Sequence, residues 1–201
     1  MTGVLSASAR ILLPGGVSLF ETRDAALLQA VYRLRARAWR ARNPSFPDIE
    51  TWSDPFDGTG RHWVVVDPDG APVAAARLTV HATAADAPDA TIYGEEILAM
   101  AGPVGSINRL VVAPEQAGTG LTRWLDEVRI AAARAAGCRF IIGATRASDR
   151  RIASARRLGF EVVGQARPYT QGPLATTEGL DVVILKRLDP PERQPSGASA
   201  R

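Results

Sequence analysis

The segment 108–125 constrains the fold more than any other part of the chain, because its pattern changes from strand to turn to helix. Residues 110–112 form a short apolar run, which is typical of a strand buried on both faces. Pro114 ends that strand, because proline has no N–H to donate to a sheet ladder. From Leu121 onward the apolar residues recur at helical spacing, which predicts a helix packed on a core.

The turn between this strand and this helix has the chemistry of an anion-binding site. Gly118 and Gly120 let the backbone turn sharply and come close to a ligand. A helix that begins there directs unpaired N–H groups and the positive end of its dipole at one point, which attracts phosphate. The turn matches neither the P-loop nor the dinucleotide-binding glycine pattern. An ordinary turn that binds nothing is the alternative.

Length and composition are typical of one globular domain: the chain has 201 residues, 46% hydrophobic and 22% charged. No apolar run approaches the roughly 20 residues that span a bilayer, and the N-terminus lacks a secretory signal. We therefore expect a cytoplasmic protein without a membrane span. The formal net charge of +3 is too small to predict nucleic-acid binding. Cys138 is expected in the core, and His62 and His81 lack ligand-spaced partners, so no metal is expected.

The order of predicted elements indicates an α/β domain with a mixed sheet, because hairpins and strand–helix–strand units are combined. Strands are predicted at 17–22, 62–66, 73–80, 110–112, 140–144, 161–165 and 181–185, and helices at 25–41, 95–100, 121–136 and 149–158. The first helix is expected to pack on an apolar stripe, with Arg35 and the neighbouring arginines on its other faces. We expect residues 1–16 to be a flexible arm, 17–188 the domain, and 189–201 a disordered tail.

The segment 43–61 is a long loop, rich in proline and glycine, with no helical or strand period. Long loops inside compact domains are usually functional or disordered. This one carries Trp52 and Phe56, aromatic residues of the kind that disordered tracts tend to lack, and the acidic residues Asp54 and Asp57. We interpret it as an ordered lid or substrate loop.

Three motifs together resemble those of the GNAT acyltransferases. They are Arg109-Leu-Val-Val-Ala-Pro114, Gly118-Thr-Gly-Leu121 and Arg157-Leu-Gly-Phe-Glu-Val-Val163. The resemblance implies an α/β fold with a mixed, mostly antiparallel central sheet flanked by helices, and a splayed strand pair that receives the thioester donor. It also implies that the strand backbone pairs with pantetheine and that the turn amides hold the pyrophosphate of coenzyme A.

The resemblance places acyl-CoA or acyl-phosphopantetheine, as co-substrate, on a defined set of residues. The set is Leu110, Val111, Val112, Ala117, Gly118, Thr119, Gly120, Leu121, Thr122, Ser148 and Arg151. Ala117 and Thr122 depart from the usual GNAT turn, which leaves more of the binding to the backbone. Ala155 stands where many GNAT enzymes have a tyrosine general acid, so another group protonates the leaving thiolate or none is needed.

A narrower resemblance is to the acyl-homoserine lactone (autoinducer) synthases. It rests on Arg35 followed by Trp39, on Asp54-Pro-Phe-Asp57, and on the strand arginines Arg77 and Arg109. Ser106 stands where that branch has a glutamate. We expect catalytic roles for Asp54, Asp57, Arg77, Arg109 and Asn108, and substrate contacts for Arg35, Trp39, Trp52 and Phe56.

The chemistry of the acidic loop leaves two interpretations open. Asp54 and Asp57 can bind a cationic amine or take its proton through water, or they belong to a solvated loop. Arg77 and Arg109 are expected to pair with them, since buried arginines are rare unless paired, and a purely structural ion-pair network is the alternative.

The clearest basic cluster is expected on the thioester side of the sheet. It consists of Arg146, Arg150, Arg151, Arg156 and Arg157. The cluster could bind the 3′-phosphate of coenzyme A or dock an acidic acyl carrier protein. The alternative is a solvated helix face without a binding role.

The sequence therefore predicts an N-acyltransferase. It would move an acyl group from a CoA or carrier-protein thioester to the amine of a small-molecule acceptor by direct attack. Two alternatives stay open. One is an autoinducer-synthase-like enzyme that uses acyl carrier protein and S-adenosylmethionine, and the other is an inactive binding module with a GNAT fold.

Overall fold

A mixed sheet of eight strands forms the centre of the computed structural model, which describes residues 10–176 and 181–188. The strands are β1 Ile11–Leu12, β2 Ser18–Thr22, β3 Arg61–Val66, β4 Pro72–Thr83, β5 Ala101–Val112, β6 Phe140–Arg146, β7 Glu161–Gln165 and β8 Asp181–Arg187. The helices are α1 Ala25–Arg40, α2 Glu95–Leu98, α3 Leu121–Ala135 and α4 Asp149–Arg157. The strand order is β1-β2-β3-β4-β5-β6-β8-β7, and only the β5–β6 pair of the described sheet is parallel. The predicted fold class is confirmed.

The segment expected to be a flexible arm contributes an edge strand. Ile11 pairs with Leu19 and Leu12 with Ser18, and Leu13 is buried in the core. Residues 11–12 are therefore part of the sheet, and burial of Leu13 helps to fix this segment. Residues 1–9 and the expected tail 189–201 lie outside the described residues.

Helices cover both faces of the sheet, as the alternation of side chains along β3 requires. Val64 and Val66 face α1 in one core cluster, while Trp63 and Val65 face α3 in another. Asp24 caps α1 by accepting a hydrogen bond of 2.7 Å from the amide of Leu27. The structure corrects one expectation about α1: Arg35 lies on its buried side and is 1% exposed.

Strand β5 begins at Ala101, well before the run 110–112 that the apolar pattern identified. Gly102, Pro103 and Gly105 lower its local strand propensity, and pairing with β4 overrides that preference. Close packing explains the glycine at position 105, because a Cβ there would lie 3.1 Å from Ala133 and 3.3 Å from Leu78. The backbone of β5 therefore approaches α3 more closely than a larger residue would allow.

The parallel strands β5 and β6 pair over only three residues and then diverge. Val104 to Ser106 are matched to Phe140 to Ile142. A bulge in the pairing of β5 with β4 helps to bend β5 away from β6. At this bulge the register moves from Ala75↔Val111 to Arg77↔Asn108. The extra residue is Arg109, whose φ of +52° is rare for a residue with a side chain. The expected splayed strand pair is thus present.

A buried ion pair on α3 lies directly beneath this bulge. Arg129 pairs with Asp126, and both residues lie in the core. Nη1 of Arg129 donates to the carbonyl oxygens of Arg77 at 3.3 Å and Asn108 at 3.4 Å. One side chain therefore connects α3 to both strands at the point where their register changes.

Replacing Arg129 is predicted to destabilise the fold. Arg129→Met should lower the free energy of unfolding by about 3–5 kcal/mol, because Asp126 is left buried without a partner. Arg123→Met on the same helix is the matched control, since its partner Glu127 lies on the surface and Arg123 is 72% exposed. The control should cost at most about 1 kcal/mol. Urea unfolding measures both values, and equal costs would contradict the role given to Arg129.

Candidate active site

A cleft of about 800 Å³ opens where β5 and β6 part. Its volume falls in the range of small-molecule and cofactor sites. All residues predicted to bind the thioester donor line it except Thr119, whose hydroxyl donates to the carbonyl of Gln116 at 2.7 Å. Trp39, Trp52, Asn108 and Arg109 line it as well.

The turn before α3 forms one end of the cleft. Gly118 and Gly120 have φ values of +88° and +85°, which only glycine adopts without strain. The helix begins at Leu121, so its first amides have no helical carbonyl to bind. Arg150 faces this turn, because a Cβ on Gly118 would lie 3.8 Å from its Nη2.

Three arginines make this end of the cleft positive. Arg42, Arg150 and Arg151 all line it, and they come from the end of α1 and from α4. Burial, and then the charge of Arg151, lowers the pKa of Arg42. The cations therefore repel one another across an opening that suits an anionic ligand.

From the cleft lining inward, three aspartates hold three arginines in one network. Arg35 donates to both carboxylate oxygens of Asp57 at 2.9 Å. Arg77 contacts Asp57 at 2.7 Å and Asp54 at 2.6 and 3.0 Å. Arg109 then joins Asp54, at 2.7 Å, to Asp89, at 3.0 Å. The formal charges of this network cancel.

The long loop is ordered by the two aspartates that the sequence singled out. A short 3-10 helix, Pro55–Asp57, begins with a capping box. In it, the side chains of Asp54 and Asp57 each accept a hydrogen bond from a backbone amide of the turn. The amide of Phe56 donates to Asp54 at 3.0 Å, and the amide of Asp54 donates to Asp57 at 2.8 Å. Asp54 and Asp57 are therefore fixed relative to each other before any contact with an arginine.

Asp54 is ionised at any physiological pH. Burial alone would raise its pKa, but hydrogen bonds from Arg77 and the charge of Arg109 outweigh burial and lower the pKa to about 2. A carboxylate with so low a pKa is a weak base. The structure therefore disfavours the expectation that Asp54 takes a proton from the acceptor.

Arg109 occupies the most unusual position in the site. Its guanidinium stacks on the ring of Trp52, with 4.6 Å between the guanidinium carbon and the ring centroid. Its partner Asp89 has a φ of +60°, so the two non-glycine residues of the described chain with left-handed backbones pair with each other. Strain of this kind persists only where surrounding contacts enforce it, and it concentrates at functional sites.

A second cavity, of about 230 Å³, lies next to the first. Asp54 and Phe56 line it from the long loop. Asp89, Arg109 and Tyr169 line both cavities. These three residues therefore mark where the two spaces meet.

Sequence reasoning missed Asp89 and Tyr169. Asp89 lies between the predicted strand 73–80 and the predicted helix 95–100, and its only local signal is the turn-forming pair Pro88-Asp89. Tyr169 lies in the loop after β7. Burial, and then the charge of Asp89, raises the pKa of Tyr169, so its hydroxyl keeps its proton.

Three of the predicted site residues lie behind the cavities. Arg35, Asp57 and Arg77 line neither cavity, and each is at most 7% exposed. Phe56, in contrast, lines the smaller cavity.

Cys138 and His62 are both buried. Burial raises the pKa of the Cys138 thiol. Burial also lowers the pKa of His62, whose Nε2–H donates to the carbonyl of Asp57 at 3.0 Å. Among residues 10–176 and 181–188, no group of three or more His, Cys, Asp or Glu side chains is arranged to hold a metal ion. Within the same residues, no helix has the length and apolar character needed to cross a membrane.

Comparison with known proteins identifies the family. The model of the N-acyl amino acid synthase FeeM family matches residues 30–176. The chain belongs to this family. The FeeM-family match and the GNAT fold together make it an N-acyltransferase. A search of curated proteins gave no match.

Solved structures share the fold at low sequence identity. The ribosomal-protein-S18-alanine N-acetyltransferase from Escherichia coli is 16% identical, with a TM-score of 0.55 over 85% of this chain and 93% of that one. A GCN5-related N-acetyltransferase from Kribbella flavida is 18% identical, with a TM-score of 0.55 over 88% and 100%. The NatC complex bound to Gag peptide and CoA is 13% identical, with a TM-score of 0.55 over 85% and 99%.

Asp54 is predicted to control the stability of this FeeM-family protein in acid. Its folded pKa of about 2 lies below the reference value of 3.8, so the unfolded state binds a proton first as pH falls. The stabilisation is complete above pH ~4 and is lost between pH ~4 and ~2, by about 2 kcal/mol.

Urea unfolding across this pH window provides the test. Asp54→Asn should show a flatter pH dependence between pH ~4 and ~2, because the substituted amide does not titrate. Asp48→Asn serves as control, since its carboxylate pairs with Arg40 on the surface and is 89% exposed. A curve for Asp54→Asn parallel to that of the unaltered protein would refute the assignment.

Proposed function

We propose that this enzyme makes N-acyl amino acids, taking the acyl group from the phosphopantetheine thioester of an acyl carrier protein. The observation that carries the proposal is the cleft between β5 and β6, which runs from the positive turn to Arg109. The FeeM-family match supports an amino acid as acceptor. The alternative donor is acyl-CoA.

The splayed strands suit a pantetheine arm. After Ser106, β5 has no β6 partner, so backbone groups along residues 107–112 border the cleft instead of completing a ladder. A thioester arm carries amides that can pair with such a strand edge. The acyl carbonyl is then brought to the end of the cleft where Arg109 lies.

The positive end of the cleft favours a carrier protein over free CoA. Ala117 supplies no cation to the turn, so a pyrophosphate would rely on backbone amides and on Arg150. A carrier protein presents acidic side chains over a wider area, which Arg42, Arg150 and Arg151 can meet together. The phosphopantetheine of a carrier protein has a single phosphate, which needs fewer hydrogen-bond donors from the turn than a pyrophosphate does.

Direct attack accounts for the chemistry with few groups. The acceptor amine loses one proton to solvent, its nitrogen bonds to the acyl carbon, and the bond from that carbon to sulfur breaks. The second amine proton neutralises the departing thiolate, whose pKa near 8.5 makes it a competent leaving group. Asp57, Arg35 and Arg77 act as positioning residues that fix Asp54 and Arg109.

Product analysis tests the proposal. The purified protein is incubated with a mixture of amino acids and one of three donors that carry the same acyl chain: acyl carrier protein, CoA or pantetheine. Mass spectrometry should detect N-acyl amino acids, formed fastest from the carrier protein. Absence of acylated product with every donor would contradict the proposal. Faster transfer from CoA than from the carrier protein would identify acyl-CoA as the donor.

A charge-reversal variant sharpens the donor assignment. Arg150→Glu should raise the KM for the carrier-protein donor by about tenfold and leave the KM for the pantetheine thioester nearly unchanged. Arg156→Glu is the matched control, because Arg156 lies on the same helix but does not line the cleft. Equal effects of the two substitutions would argue against docking at Arg150.

The assembled arginine–aspartate network also favours a second candidate, an autoinducer-synthase-like reaction with S-adenosylmethionine. Arg35, Asp57 and Arg77, which belong to the pattern on which that resemblance rests, pair with one another. Ser106, in place of that branch's glutamate, accepts from Asn108 at 3.2 Å and shares a hydrogen bond with Tyr93. Adding S-adenosylmethionine to the product assay distinguishes the candidates, since a lactone product would replace the N-acyl amino acid.

A further inference from the structure

The cavity of about 230 Å³ shares the lining residue Arg109 with the cleft, and no residue of the turn 117–122 lines it. Its volume is below the usual range for drug-sized ligands, so it suits a molecule smaller than an acyl-pantetheine. It is separate from the cleft except where Asp89, Arg109 and Tyr169 border both spaces. A ligand in this cavity would therefore meet a thioester in the cleft at those three residues.

The carboxylate of Asp89 can accept further hydrogen bonds from a ligand in this cavity. Asp54 accepts from Arg77, Arg109 and a backbone amide, which occupies both of its oxygens. Asp89 accepts only from Arg109 within the described residues, at 3.0 Å to one oxygen and 3.5 Å to the other. Its side chain is 21% exposed and borders both cavities.

The open acceptor positions on Asp89 suit a cationic donor. Asp54 and Asp89 contribute two negative charges, and Arg109 is the one cationic side chain among the described residues that line it. Arg77 pairs with Asp54 from behind the cavity, so the network as a whole is neutral and the open acceptor positions lie on Asp89. An ammonium group there would add a charge-assisted hydrogen bond.

We propose that this cavity holds the acceptor and that Asp89 binds its ammonium group at the junction with the cleft. The inference rests on the proposed function and assigns its acceptor site. Asp89 receives the protonated amine, one proton passes to solvent, and the neutral nitrogen faces the acyl carbon of a thioester that ends beside Arg109. The apolar walls Phe56 and Pro88 receive the rest of the acceptor.

Asp89→Asn tests the proposal without disturbing the backbone. Asparagine tolerates a left-handed φ as aspartate does, and Arg109 keeps its contact with Asp54. Asp86→Asn is the matched control, because Asp86 is an exposed aspartate three residues away that accepts from the hydroxyl of Thr83. Initial rates are measured with the amino acid varied at saturating thioester donor, and then with the donor varied.

The proposal predicts that Asp89→Asn raises the KM for the amino acid by about tenfold or more, as loss of a charged hydrogen bond implies. The KM for the donor should change by less than about twofold, and Asp86→Asn should match the unaltered protein. Product formation with an unchanged acceptor KM in Asp89→Asn would overturn the acceptor site and leave the proposed function standing. Absence of N-acyl amino acid with the unaltered protein would overturn both.

Discussion

The carboxylate of Asp54, held between Arg77 and Arg109, is the interaction on which the site depends. It joins the long loop to the two strands whose register changes at Arg109. Burying Arg35 and Arg77 would cost several kcal/mol for each ion if they were unpaired. Because three aspartates balance three arginines in close geometry, that cost is offset, and the loop becomes a fixed wall.

The same network holds a strained backbone in place. Arg109 and Asp89 both adopt left-handed φ values, and the salt bridge between them ties the bulge in β5 to the loop before α2. On the other side, Arg129 binds the carbonyls of Arg77 and Asn108 and thereby supports the bulge from the core. The strain is stored at the boundary of the two cavities, where a precise placement of reacting groups has most effect.

The features that could be predicted from the sequence are those determined by residues close together in the chain. The apolar run 110–112, the glycine turn and the helical spacing after Leu121 predicted the strand, turn and helix that border the cleft. Arg77 and Arg109 were expected to pair with the acidic loop because buried arginines are rare unless paired, and both contact Asp54.

The rest depends on contacts between distant segments. Asp89 and Tyr169 lie in loops without a periodic pattern, and only the folded chain brings them to Arg109. The early part of β5 was missed because its glycines serve close packing rather than strand propensity. Arg129 was missed because the helical stripe was read from apolar residues, although Asp126 three positions earlier supplies the partner that permits burial.

The central claim is that donor and acceptor meet at Arg109, Asp89 and Tyr169. A crystal structure with a bisubstrate analogue, in which acyl-pantetheine is joined to the nitrogen of an amino acid, tests this most directly. The account predicts that pantetheine lies along β5, that the amino acid occupies the smaller cavity, and that the joining nitrogen lies within hydrogen-bonding distance of Asp89. An analogue bound wholly within the cleft, with the smaller cavity empty, would contradict it.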